Sequence, residues 1–165
     1  PFSCLVSTER DPEGVKKVRE NLLSDVPEGV HRMSVDFDGK IALLGYKLEP
    51  PEVPKGESFR ISYFFKCKQP VGDDWLVFIH GDGPQGGAHR VFGDHAPMGG
   101  LYPTSEWQPG DIVRDTHVMK VPANYPYKHF TLWMGFWKGN KRLPVSQKYQ
   151  HDGNDRVRTA LVRVR

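Results

Sequence analysis

Cysteine is scarce in this chain: two residues, Cys4 and Cys67, among 165. Two thiols with no CxxC spacing cannot supply a four-ligand zinc site. The structural use left to them is a candidate disulfide, which in an oxidising compartment would pin the N-terminal segment to the strand ending at Cys67. Long apolar runs are also missing, and the mean hydropathy is −0.56, so no stretch reaches the length of a membrane span. Charge of one sign is lacking as well. Lys and Arg number 23 against 20 Asp and Glu, for a net +3, too little for a nucleic-acid footprint. The catalytic signatures HExxH and GxSxG do not occur. The glycine-rich stretch 81–87 has neither the lysine nor the following helix of a phosphate loop and reads as a hairpin tip. Neither a nucleophile beside a base nor a converging carboxylate pair is signalled, so the chain is expected to be non-catalytic.

What is present is punctuation and aromatic side chains: 17 Gly, 14 Pro, nine Phe, six Tyr and four Trp, a composition of many short strands and turns. One stretch has helical spacing. Over 10–24, Asp11 can cap, Pro12 suits the first turn, and Val15, Val18 and Leu22 recur on one face. After Pro27 and Gly29 the period changes from 3.6 to 2. Met33, Val35 and Phe37 alternate with polar residues, Asp38-Gly39 marks a hairpin turn, and 41–48 follows as its partner. The clearest strand runs over 59–67, and further strands are predicted at 75–80, 88–92, 112–121, 130–137 and 156–164. With no crossover helices, the expected fold is all-β. It is an antiparallel β-sandwich, immunoglobulin-like or jelly-roll-like, with a short N-terminal helix. Residues 1–29 form an extension and 30–165 the sandwich domain. The tail is basic: 138–165 carries eight Lys and Arg against Asp152 and Asp155, as suits a solvated edge strand or an anionic partner.

One run is distinctive. Asp94 and Pro97 are followed by Tyr102-Pro103-Thr104-Ser105, Trp107, Pro109-Gly110-Asp111, Val113 and Asp115. This resembles a β-sandwich domain of unassigned function that follows the membrane segment of some bacterial glycosyltransferase-like proteins. The likeness extends to Leu44-Gly45-Tyr46, Val77-Phe78-Ile79-His80, Met134-Gly135-Phe136-Trp137 and Arg142-Leu143-Pro144-Val145, covering about 40–165. The resemblance implies the sandwich fold and an extracytoplasmic place, and carries no catalytic residues. Physically the motif reads as scaffold. Asp94 and Asp115 can accept hydrogen bonds from turn backbone, Trp107 offers a large ring with one N–H to satisfy, and Pro109-Gly110 turns the chain before the Ile112 strand.

Candidate binding residues follow from strand periodicity. Trp133 and Trp137 share one face of a strand, opposite Phe130, Leu132, Met134 and Phe136, and their rings, about 13 Å apart, suit stacking on sugars or packing beneath a loop. Tyr102, Tyr125 and Tyr127, beside prolines, are further ligand candidates or turn braces. His80, His95, Asp94 and Asp111 form the candidate metal group, for zinc or for calcium; ordinary polar roles are the competing reading, and no cofactor is expected. The expected function is an accessory or recognition module of the bacterial cell envelope. Its loops at 81–90, 93–111 and 138–155 would be presented to a glycan or protein partner. A structural interaction domain in an envelope protein assembly is the alternative, and a metal-dependent enzyme comes third. The chain opens on Pro1 without an initiator methionine, as a processed or truncated piece would, so any signal peptide is expected to be already gone; the expected place is the periplasm or the exterior of a bacterium.

Overall fold

The computed structural model describes residues 11–165. One helix, α1 (Pro12–Glu20), precedes the strands, whose ranges are β1 Leu22–Leu23, β2 His31–Phe37, β3 Ile41–Glu49, β4 Glu52–Val53, β5 Ser58–Cys67, β6 Leu76–Gly83, β7 Gly86–Phe92, β8 Ile112–Lys120, β9 His129–Lys138, β10 Lys141–Arg142 and β11 Val157–Val164. They form two sheets. One has the order β1-β8-β5-β3-β2, the other β4-β11-β9-β6-β7, with β10 folded onto β9. The fold is thus the expected all-β sandwich with a short N-terminal helix. One pairing departs from the antiparallel rule: β4 runs parallel to β11, with Arg163 opposite Glu52.

The helix begins as its sequence predicts, with the Asp11 carboxylate accepting from the Gly14 N–H at 2.7 Å and Pro12 in the first turn. It ends earlier than the apolar spacing suggests. Asn21 closes it, and Leu22, expected on the helical stripe, instead pairs with Val113 on β8. Val18 is fully buried in the core, so residues 11–23 extend both the first sheet and the hydrophobic interior. The segment 81–90, expected as a displayed loop, is a hairpin in which Gly81 pairs with Val91 and 87–90 bulge out of register. Gly83 lies opposite Gly86, leaving only Pro84-Gln85 at the tip.

The core lies between the sheets. Phe65 of β5 meets Phe136 of β9 at 5.1 Å between ring centroids, Phe37 of β2 meets Phe136 at 5.2 Å, and Phe59 of β5 meets Phe130 at 5.9 Å. Aromatic pairs at such distances add to the burial of their area. One polar bridge crosses this interior. Thr159 Oγ1 donates to the Leu132 carbonyl at 2.9 Å, which leaves that oxygen to accept from the Tyr63 hydroxyl at 2.8 Å. Tyr63 sits in the β5 sheet and Thr159 on β11, so the bond joins the two layers. Burial raises the pKa of the Tyr63 hydroxyl well above its ordinary value, keeping it a donor. Tyr63→Phe is expected to cost about 1 kcal/mol in urea unfolding; an unchanged midpoint would show that the bridge contributes nothing.

Candidate functional site

The outer face of the second sheet carries its own cluster. Cross-strand register places Phe92 opposite His80, and His80 opposite Trp133. One step along, Phe78 lies opposite Gly135, and Leu76 opposite Trp137, which also pairs with Arg142 of β10. Gly135 is required there. A Cβ at that position would come within 2.5 Å of the Phe78 ring and 2.7 Å of the Asp155 carbonyl oxygen. Without it, the Phe78 ring occupies the surface of β9 and is itself buried. The Arg142 guanidinium stacks over that ring at 4.5 Å and donates to the Asn154 carbonyl at 2.7 Å.

Beside these groups lies an open cleft of about 300 Å³, whose walls include Phe78, His80, Asp94, Trp137, Lys141 and Arg142. Asp94 is exposed and held at the rim by the Ile79 N–H, which it accepts at 3.2 Å. His80 is neutral on geometric grounds. Its Nδ1 faces Arg156 Nη1 at 3.3 Å, and because a guanidinium only donates, Nδ1 must accept. Burial, with the charges of Arg90, Arg156 and Arg142 adding to it, pushes the His80 pKa down to about 4. The ring's proton therefore sits on Nε2.

Arg156 belongs to an ion-pair chain next to the cleft. Asp82 accepts two bonds from Arg90, at 2.6 and 3.0 Å, and one from Arg156 at 2.9 Å, while Arg156 also donates to Asp152 at 2.7 Å. Burial by itself would raise the Asp82 pKa. The bonds from the two arginines outweigh it and hold the carboxyl below its ordinary value. Arg156 lies over the Trp133 ring at 5.0 Å. The two expected tryptophans thus share the outer face, as strand periodicity requires, but their surroundings differ: Trp133 lies beneath a guanidinium, and Trp137 lines the cleft.

The remaining candidates are scattered. Tyr102 and Tyr125 are core residues, with the Tyr102 hydroxyl donating to Asp111 at 2.6 Å and the Tyr125 hydroxyl to the His129 carbonyl at 2.8 Å. They brace their loops from inside, which corrects the expectation that they face a ligand. Tyr127 packs at the β6–β7 hairpin, against Tyr125 and His89. In the metal group, His80 and Asp94 meet at the cleft, Asp111 is engaged by Tyr102 and the Gln108 N–H, and His95 faces Asp115. Among the described residues no three such side chains converge as a metal-binding group. Cys67 is buried and its Sγ donates to the Gln69 carbonyl at 3.2 Å; Cys4, the other half of the expected bridge, lies outside the described residues.

His95 marks a feature that spacing did not reveal. It continues the edge of the second sheet through paired bonds with Val77, and its side chain reaches β8 in the first. Nδ1 lies 2.8 Å from the Gly93 carbonyl and Nε2 lies 2.6 Å from the fully buried Asp115 carboxylate. Both oxygens are acceptors, so both ring nitrogens carry protons and the ring is an imidazolium. Burial opposes that charge, but the Asp115 bond and charge prevail and raise the His95 pKa. His117 stacks on it at 3.9 Å with the rings 3° from parallel. Burial and the His95 charge lower the His117 pKa, so a neutral ring faces a charged one. Asp115 also accepts from the Met98 N–H at 2.8 Å, which anchors the 93–101 segment.

No family model matches this chain, and no curated protein matches it either.

The two kinds of histidine pull stability in opposite directions with pH. The raised pKa of His95 gives a contribution that is full below the ordinary value of 6.5 and fades as pH climbs through the folded value. Those of His80 and His117 are lowered, so their contributions are full above 6.5 and fade as pH falls below it, for His80 down through about 4. Asp115→Asn is expected to bring the His95 titration, followed by NMR, below 6.5 and to cost about 3 kcal/mol of stability. A His95 titration that does not move would dismiss the ion pair.

Proposed function

We propose that this protein is a non-catalytic glycan-recognition module of the bacterial cell envelope, displayed outside the cytoplasm, and that the cleft beside Trp137 receives a sugar. The observation that carries the reading is the composition of that cleft. One aromatic side chain, Trp137, stands next to a fixed carboxylate, Asp94, and a neutral imidazole, His80, on one sheet face, with the buried Phe78 ring beneath Arg142. Sugars present an apolar ring face together with hydroxyls that donate and accept in defined directions. An aromatic surface flanked by a few oriented polar groups answers both demands.

The rigidity of the platform supports the same reading. The cleft floor is strand, and its rim is held by backbone bonds to Asp94 and to the β9–β10 turn, so little ordering is left to oppose binding. The resemblance of the 93–115 motif to extracytoplasmic sandwich domains agrees with an envelope location.

Screening the protein on an array of neutral and acidic oligosaccharides tests the reading. Retention of a defined class is expected, with Trp137→Ala weakening it by about tenfold or more. Trp133→Ala is expected to lower stability through the lost Arg156 contact with little change in affinity. No retention of any sugar by the unmodified protein would end the proposal.

A further inference from the structure

The cations around the cleft are not treated alike. Arg90 and Arg156 are neutralised by Asp82 and Asp152, and Lys138 is paired with Asp73. Arg142 and Lys141, adjacent on β10, have no carboxylate within ion-pairing distance among the described residues, although the Lys141 charge reaches Asp73 from farther off, and both are exposed at the cleft wall. Arg142 is nevertheless not a loose surface side chain. Its stack on Phe78 and its bond to the Asn154 carbonyl hold it in one orientation, and neither partner cancels its charge. A guanidinium that is fixed in place, unpaired and beside an aromatic wall is prepared to receive an anion with its remaining N–H donors.

The polarity of the cleft is directional. Asp94 stands at the rim with no cation paired to it among the described residues, and its oxygens accept from donors such as sugar hydroxyls. An anionic group is repelled from that side and drawn toward Arg142 and Lys141. Resting on the glycan reading above, we infer that the ligand is an acidic saccharide. One sugar ring lies against Trp137, its hydroxyls donate to Asp94, and its single negative substituent, a uronate carboxylate or a sulfate ester, bridges Arg142 and Lys141.

The discriminating comparison is between trigalacturonate and its methyl ester, which removes the charge and keeps the sugar. Calorimetric titration at low salt is expected to show the acid bound at least about tenfold more tightly than the ester, with the difference shrinking as salt is added. Arg142→Gln is expected to abolish the preference for the acid over the ester. Because that variant also loses the Phe78 stack, Lys141→Gln, on an exposed side chain, provides a second arm and is expected to reduce the preference several-fold. A sulfated oligosaccharide run alongside assigns the acid, as the tighter of the two. Equal affinity for acid, ester and sulfated sugar, or a preference that survives both substitutions, would overturn the acidic-saccharide inference and leave glycan recognition standing. Absence of binding by acid, ester and sulfated sugar alike overturns this inference, and the array screen above decides the broader reading.

Discussion

The pleat of β9 is the constraint on which the rest of the molecule depends. This strand lies in the middle of its sheet, with β11 on one side and β6 on the other. Successive side chains must point to opposite faces. Phe130, Leu132, Met134 and Phe136 are therefore committed to the interior, where they meet the first sheet, and Trp133, Gly135 and Trp137 are committed to the outside. Core and cleft are two sides of one ladder, and a slip of one residue would exchange them. Gly135 completes the arrangement by leaving room for Phe78, which in turn seats Arg142.

The sheets are held in relation to each other by more than apolar contact. Tyr63 and Thr159 join them through the middle, and His95 and Asp115 join them along one edge. The second link is the more demanding, since a carboxylate with no solvent exposure must be fully compensated. Its two oxygens receive the His95 N–H and the Met98 N–H, and the charged ring is in turn bonded to Gly93 and faced by a neutral His117. The opposite side is closed by the 138–155 segment, where Leu143 and Val145 are buried and Val145 bridges to Phe37 at the edge of β2. Thus both long connections serve as seams of the sandwich as well as surfaces, and the cleft opens where the second of them leaves β9.

Much of this was legible in the residues. The alternation over 59–67 and 130–137 marked the strands and their inner faces, Asp38-Gly39 marked the first hairpin, and Trp107, with its N–H donating to the Tyr102 carbonyl, sits buried as a motif scaffold should. Other readings failed for identifiable reasons. Leu22 fits a helical stripe but the Asn21 cap and the pairing with Val113 make it strand. The 81–87 stretch is the hairpin tip its glycines marked, but they have a second use that spacing did not show: Gly81 and Gly83 are where the Phe130 and Tyr125 side chains press on the ladder. Tyr102 and Tyr125 stand beside prolines like loop-tip residues, yet their loops fold inward.

For the site, period two alone placed Trp133 and Trp137 on one face, because the direction of a side chain along a strand is a local property of the backbone. It could not distinguish their fates. That Arg156 covers the first while the second borders a cleft with Asp94 and Arg142 depends on segments far apart in the chain meeting on one surface. The same holds for His95 and Asp115, twenty positions apart and on different sheets. Sequence by itself determined the layers and which residues they enclose, since alternation is written residue by residue. Only tertiary structure decided which exposed groups gather, which charges cancel and which remain unpaired, since those outcomes depend on how the layers and their seams close on one another.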